Sequence, residues 1–342
     1  MKGFLNTLDL VLDKTVLFGY DRIGYYARKP LWDDADTAVD LSGKVAVVTG
    51  ANSGLGFVTA RELAARNARV YLVCRSQERG EAARQKIVAE TGSSDVHLSI
   101  ADLSDQTALR GFVKLFSGTE SRLDLLVNNA GILPVERELT VDGIESTFAV
   151  NTLAYFLMVN LLAPLLESTP GARVVNVSSG GQYLARLDVN DLQSENEKFD
   201  GTMAYARTKR AELLRSAVWA EHWRERGILV FGMHPGWADT PAVQSSLPVF
   251  RSIMQLTLRS PEEGADTIVW LCTCPRLGTG ESGGFFFDRR ERPMIRVESS
   301  RNSAEEVATL WRKCAELSGY LNAGADAVVP GDAAFAYAAS RP

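Results

Sequence analysis

Val45-Ala46-Val47-Val48-Thr49-Gly50-Ala51-Asn52-Ser53-Gly54-Leu55-Gly56-Phe57 is the stretch on which the fold turns. A short β-branched run, Val45 to Thr49, passes through a glycine-rich turn into a helical stretch, Phe57 to Arg66. Glycines permit a tight turn and close approach of a phosphate to the backbone, and a helix N-terminus facing that turn adds partial positive charge. Such a run alone is weak evidence, but here it lies between a strand and a helix, the context the motif requires. Its spacing is G-x-x-x-G-x-G.

Downstream, strand and helix alternate. Strands are expected at Arg69 to Cys74, Val96 to Ile100, Leu123 to Val127, Arg173 to Val177 and Ile228 to Met233. Helices are expected at Glu78 to Glu90, Leu103 to Phe116, Met203 to Arg226 and, as one long apolar helix, Val141 to Leu166. Near-continuous apolar strands separated by helices predict βαβ units and a parallel sheet covered on both faces. No repeat and no Pro/Ser-rich linker divides the chain. The reading is one α/β domain over residues 41–318, with an N-terminal arm (1–40) and a Gly/Ala-rich tail (319–342).

The whole chain has 342 residues, a formal charge of -5 and 46% hydrophobic residues. Mild acidity argues against nucleic acid as the main partner, because neutralising phosphates requires a basic surface. Composition also excludes collagenous, disordered and disulfide-dense scaffolds. Cys272 and Cys274 form a C-x-C pair with no second pair at metal-ligand spacing, so no metal is expected. Reduced thiols, no secretory signal and no apolar run of about 18 residues point to a cytoplasmic protein without a spanning helix. In the arm, Phe4, Leu5, Leu8, Val11 and Leu12 recur at helical spacing, followed by Tyr20, Tyr25, Tyr26, Arg28, Lys29 and Trp32. Its plainer reading is a segment packed on the domain; the sharper one is peripheral contact with a membrane surface.

Two further sites carry chemistry. The second strand runs into Arg75, with no carboxylate at its end. Dinucleotide folds select their cofactor there, and an arginine pairs with a 2′-phosphate, so NADP(H) is favoured over NAD(H). Tyr205 and Lys209 stand at i and i+4 on one helix face. A phenol with a pKa of ~10 is a poor base at neutral pH, but a nearby ammonium stabilises the phenolate and lets it exchange a proton with a carbonyl or alcohol oxygen. Y-x-x-x-K is common by chance; the upstream glycine motif reverses those odds.

Thr49 to Gly56, Asp102, Asn128-Asn129-Ala130-Gly131, Asn151, Ser178-Ser179, Tyr205 with Lys209, and Pro235-Gly236 occur in this order. The set resembles the short-chain dehydrogenase/reductase family over residues 43–290. The resemblance implies a Rossmann-type doubly wound sheet of seven parallel strands, order 3-2-1-4-5-6-7, flanked by helices. It implies that Gly50, Asn52, Ser53, Gly54, Leu55 and Gly56 hold the cofactor's phosphates, that Asp102 and Leu103 lie near the adenine, and that Asn128 to Gly131 flank the cofactor cleft. Pro235, Gly236 and Thr240 belong near the nicotinamide. The implied catalytic set is Asn151, Ser179, Tyr205 and Lys209. Tyr205 passes the proton, Ser179 orients the substrate oxygen, with Ser178 as its adjacent rival, and Lys209 assists Tyr205 and contacts the ribose. Asn151 holds a water linking Lys209 to solvent.

The insertion between Ser179 and Tyr205, with Asp191 to Glu195 and Phe199 to Met203, is similar to that of the retinol-dehydrogenase-like branch. The segment 237–262, apolar at Leu247, Val249, Phe250, Met254 and Leu256, is expected to cover a lipophilic carbonyl or alcohol substrate. Leu153 to Val159 is read either as a homodimer contact or as a buried helix, and His234 as a packing residue rather than a ligand. Two other functions remain in view: a non-catalytic NADP(H)-binding protein acting through its arm, and a sugar-nucleotide epimerase or dehydratase. The complete Ser-Tyr-Lys-Asn set disfavours the first, and the glycine spacing disfavours the second.

Overall fold

Alternation along the first strand divides the core. In β1 (Val45–Thr49), Val45 and Val47 join one apolar cluster and Ala46 and Val48 the other, as a period of two requires. The computed structural model describes residues 9, 12–13, 19–196, 198–239, 244, 251–252, 254–320 and 328–342. Around β1 lie β2 (Arg69–Cys74), β3 (Val96–Ile100), β4 (Leu125–Asn128), β5 (Arg173–Val177), β6 (Leu229–Met233), β7 (Phe285–Phe287) and β8 (Arg290–Arg292). They form one sheet in the order β3-β2-β1-β4-β5-β6-β7-β8.

One face is covered by helices Gly54–Ala64 (α1), Gln77–Thr91 (α2) and Pro261–Thr273 (α6). The other is covered by Gln106–Thr119 (α3), Ala154–Leu161 (α4), Gly201–His222 (α5), Ala304–Leu317 (α7) and Asp332–Ser340 (α8). The last of these lies inside the segment read as a tail and packs on α5. No helix among the described residues is long and apolar enough to cross a membrane.

Two expectations change. The sheet has an eighth strand, antiparallel to β7, because Asp288 and Arg289 both adopt positive φ (51° and 56°) and close a two-residue hairpin. The long apolar helix does not begin at Val141, which is 83% exposed. The chain instead turns at Gly143 (φ +73°), and the Glu145 carboxylate accepts the Thr147 and Phe148 N–H bonds to start the helix at Ser146. One π turn, Ala149–Leu153, then leads into α4. Of its two readings, Leu153 to Val159 takes that of a buried helix. The chain's own Trp311 and Tyr320 pack on Phe156 at 5.0 and 5.9 Å.

The positive-φ hairpin is held by charge. Arg28 donates to Asp288 at 2.7 Å, and Arg259 makes two bonds to the same carboxylate at 2.6 and 2.9 Å. Arg28 also reaches Asp9 at 2.6 Å, as does Arg292 from β8. Arg28, Arg259, Arg292, Asp9 and Asp288 are all buried, so the network ties the arm to the C-terminal edge of the sheet. Apart from Asp9, Leu12 and Asp13, the amphipathic stretch at residues 4–16 lies outside the described residues.

Removing one partner of a buried ion pair leaves the others uncompensated at a cost of about 3–5 kcal/mol. Asp288→Asn is therefore expected to lower the urea unfolding free energy by about that amount. An unchanged midpoint would contradict the assigned role of the network.

Candidate functional site

The β1–α1 turn forms a cradle whose backbone leaves no room for side chains at one point. Gly50 and Gly54 have φ of +64° and +55°. A Cβ on Gly56 would stand 2.5 Å from both the Gly50 carbonyl oxygen and the Asn129 side-chain nitrogen. Ser53, the N-cap of α1, does not cap the helix with its side chain, so first-turn N–H groups point toward the turn. Tight glycines at a helix N-terminus are the geometry that accepts a pyrophosphate. Leu55 is buried against Gly264 of α6, and Asn52 lies partly exposed in the turn.

Thr49, fully buried, sets the opposite wall. Its hydroxyl accepts the N–H groups of Asn129 and Ala130 at 2.9 and 3.0 Å, and the Asn129 side chain donates to the Thr49 carbonyl. Tyr155 in α4 donates its hydroxyl to the Ala130 carbonyl at 2.6 Å. Asn128 turns inward instead, bonding Asn176 of β5 at 2.8 Å, so its side chain joins strands and does not face the cradle. At the end of β2, Arg75 is 69% exposed and its Nε lies 3.9 Å from Asp102, whose carboxylate accepts two bonds from Ser104. Leu103 packs against the apolar cluster beneath α3 and α4.

The second half of the site stands on α5. Lys209 is buried, and its ammonium donates to the Val177 carbonyl and to Glu212 Oε1, both at 2.8 Å. It lies 5.4 Å from the Tyr205 ring centroid and 5.8 Å from that of Tyr155. Burial opposes the Lys209 charge, yet Glu212 and Tyr205 hold its pKa above the ordinary lysine value. Burial pushes Glu212 up to about 7 against the pull of the same ammonium. Tyr155 is raised well above an ordinary phenol by burial, with Glu212 adding to the effect, so it stays a protonated donor to Ala130.

The paired serines diverge. The Ser178 hydroxyl is buried and donates to the Lys209 carbonyl at 2.8 Å. Ser179 Oγ accepts the Gly181 N–H at 3.0 Å, and a Cβ on Gly181 would stand 3.3 Å from that Oγ and 3.7 Å from the Tyr205 ring. Ser179 and Tyr205 therefore share one partly exposed corner. Asn151 is fully buried, and its side chain turns to the loop after Gly131. It brackets Ile132, accepting its N–H and donating to its carbonyl, both at 2.9 Å, and also donates to Thr208. The π turn containing Asn151 makes it a clamp on the loop after Gly131.

Pro235 and Gly236 follow β6, with Gly236 at φ +75°; a Cβ there would meet the Tyr20 carbonyl at 2.5 Å and Arg259 at 2.6 Å. His234 stacks on Phe287 at 4.0 Å and accepts the Gly236 N–H at 3.1 Å. Burial, reinforced by Arg259, Arg292, Arg28 and Arg296, holds His234 far below the ordinary histidine value, so it remains a neutral packing group. Thr240 lies outside the described residues, as does most of the apolar segment 240–250. A cavity of about 500 Å³ opens beside the first turn of α5, lined by Leu133, Pro134, Val135 and Phe199 together with polar Lys198 and Thr202.

The sequence gives Tyr155, Glu212 and Tyr20 no place in the site, and it gives Thr49 only membership of the glycine motif. Glu212 was within reach, standing three residues beyond Lys209 on a helix. Tyr20, which packs on Gly180, His234 and Trp237, comes from a segment with no periodic link to the site.

The chain is similar to several known proteins. The short chain dehydrogenase family profile matches residues 44–248. Human dehydrogenase/reductase SDR family member 12 is 40% identical over 301 residues, covering 87% of this chain and 94% of the relative. Human retinol dehydrogenase 12 is 35% identical over 285 residues, covering 83% and 89%. Among solved structures, an uncharacterized protein from Mycobacterium paratuberculosis superposes with a TM-score of 0.67 at 29% identity, covering 84% and 97% of the two chains. The Pseudomonas aeruginosa RhlG/NADP complex superposes at 0.56 with 25% identity, covering 72% and 95%.

The cradle makes a direct prediction. Gly56→Ala crowds the turn by one methyl, a strain of about 1–3 kcal/mol, and should weaken NADPH binding about tenfold or more. Fluorescence titration of NADPH, with circular dichroism to confirm retained secondary structure, reads this. Unaltered affinity would rule out the cradle as the phosphate site.

Proposed function

The chain belongs to the short chain dehydrogenase family as an NAD(P)-dependent dehydrogenase/reductase of the retinol-dehydrogenase-like branch, and we propose that it transfers a hydride between NADP(H) and a lipophilic carbonyl or alcohol. The observation that carries the reading is the Tyr205 phenol beside the buried Lys209 ammonium, with Ser179 Oγ on the same corner. When bound, the cofactor supplies or accepts the hydride at its nicotinamide ring. Every other role falls to side chains of this chain.

Ser179 donates its hydroxyl to the substrate oxygen and orients it, a preorganised donor aimed at developing charge. Tyr205 gives the proton to the nascent alkoxide in reduction and takes it from the alcohol in oxidation. Lys209 stabilises the phenolate between turnovers and contacts the ribose hydroxyls. The Gly50–Gly56 turn holds the pyrophosphate, Asp102 and the backbone at Leu103 flank the adenine, and Pro235 and Gly236, with Thr240, border the nicotinamide. Arg75, exposed at the strand end, closes on the 2′-phosphate and favours NADP(H). The apolar residues of segment 237–262, the proposed cover of the substrate, support a lipophilic one.

The test is NADPH and NADH consumption across hydrophobic aldehydes and ketones. Tyr205→Phe should lower kcat by about 10²-fold or more while NADPH binding is retained. Full turnover in that variant excludes the proton relay, and tight NADPH binding without turnover of any substrate favours the binding-protein reading instead. Arg75→Gln should reduce the preference for NADPH over NADH by about tenfold, the worth of a charge-assisted contact. An unmoved preference removes Arg75 from the phosphate site.

A further inference from the structure

Glu212 is the one buried carboxylate in contact with the proposed proton-transfer residues among those described, and the roles above do not use it. It sits one turn beyond Lys209 on α5, with almost no surface exposed. Its Oε1 takes the Lys209 ammonium at 2.8 Å, while Oε2 is buried without a hydrogen-bond partner. Ion pairs of this kind are weak sources of stability, since desolvation offsets the attraction. Their consequence is local: the carboxylate fixes where the ammonium points and how much of its charge its neighbours feel.

Those neighbours are few. From α5 itself, Tyr205 lies on one side of Lys209, and Arg215 follows one turn after Glu212. Arg215 donates to the Thr152 carbonyl at 2.6 Å and faces Cys314 of α7. From α4, Tyr155 faces both Lys209 and Glu212. From β5 come the neutral Val177 carbonyl on Lys209 and Asn176, which bonds Ser216 next to this group. Among the described residues only Arg215 supplies a second positive charge, and it is anchored to backbone oxygens.

We propose that Glu212 is the positioning residue of this site, fixing Lys209 beside Tyr205 and setting, through its charge, the pH window in which Tyr205 passes a proton. The proposal rests on the reading of Tyr205 and Lys209 given above. Its sign follows from electrostatics. With Glu212 neutralised, the full charge of Lys209 acts on the phenol, which then loses its proton at lower pH. The same change removes the larger of the two influences that oppose burial on Lys209, leaving Tyr205 alone, so the ammonium is also lost at lower pH. Both effects move the alkaline limb of carbonyl reduction in one direction, and they operate above neutrality, where the Glu212 carboxylate is charged.

The experiment is the pH profile of kcat for NADPH-dependent reduction of a hydrophobic aldehyde, for the unsubstituted enzyme, Glu212→Gln, Glu212→Met and Glu212→Asp. The alkaline limb should fall by about one pH unit or more in the two neutral variants, and Glu212→Asp, which keeps the charge, should retain it. A packing defect lowers the height of the profile without moving its limb. A limb that stays in place in whichever neutral variant folds overturns the proposal, as does a limb displaced in Glu212→Asp as far as in a neutral variant. Tyr205→Phe, measured alongside, separates the two failures: if it keeps full turnover, the reading of Tyr205 itself is wrong, whatever Glu212 does.

Discussion

A buried ammonium needs a reason to remain charged, and in this protein the reason organises the part of the molecule around the first half of α5. Lys209 is held by the Val177 carbonyl at the end of β5, by Glu212 on its own helix, and by the faces of Tyr155 and Tyr205. The contacts that orient it come from three different elements. Ser178 extends the arrangement by bonding the Lys209 carbonyl, which ties the serine loop to the same turn of helix. The positions of Ser179 and Tyr205 follow from where that one charge can be tolerated.

A second buried charge cluster does comparable service at the sheet edge. Asp288 and Asp9 collect Arg28, Arg259 and Arg292, and in doing so hold a hairpin whose two turn residues adopt an unfavourable backbone conformation. Arg259 donates to the Asp21 carbonyl and the Tyr20 carbonyl accepts the Trp237 N–H, so the N-terminal arm becomes part of the wall behind the Pro235-Gly236 turn. Residues before the family match thus contribute to the architecture around the site. His234, sandwiched in this aromatic stack, is kept neutral by burial, with the surrounding arginines adding to the effect.

Much of this was legible in the sequence, for identifiable reasons. The glycine turn, the parallel strands and the Tyr205-Lys209 spacing are local patterns, set by backbone geometry over a few residues. Of the paired serines, Ser178 is buried and Ser179 partly exposed, a difference their sequence does not show. What escaped reading depends on contacts between distant residues. The eighth strand required Asp288 and Arg289 to accept positive φ, which only the buried arginines explain. The start of the helix at Ser146 turned on a single capping carboxylate, Glu145, within an otherwise apolar stretch. Asn128 and Asn129 look alike in sequence, yet one bonds Asn176 in the sheet and the other Thr49 in the cradle.

The central claim is hydride transfer between NADP(H) and a lipophilic carbonyl at the corner formed by Ser179 and Tyr205. It is tested most directly in a single turnover with NADPH carrying deuterium at the transferable position of its nicotinamide and a hydrophobic aldehyde as acceptor. The account predicts an alcohol with deuterium on its carbinol carbon, seen by mass spectrometry. NADPH that binds and stays fully deuterated, with the aldehyde unchanged across a panel of such acceptors, would contradict it.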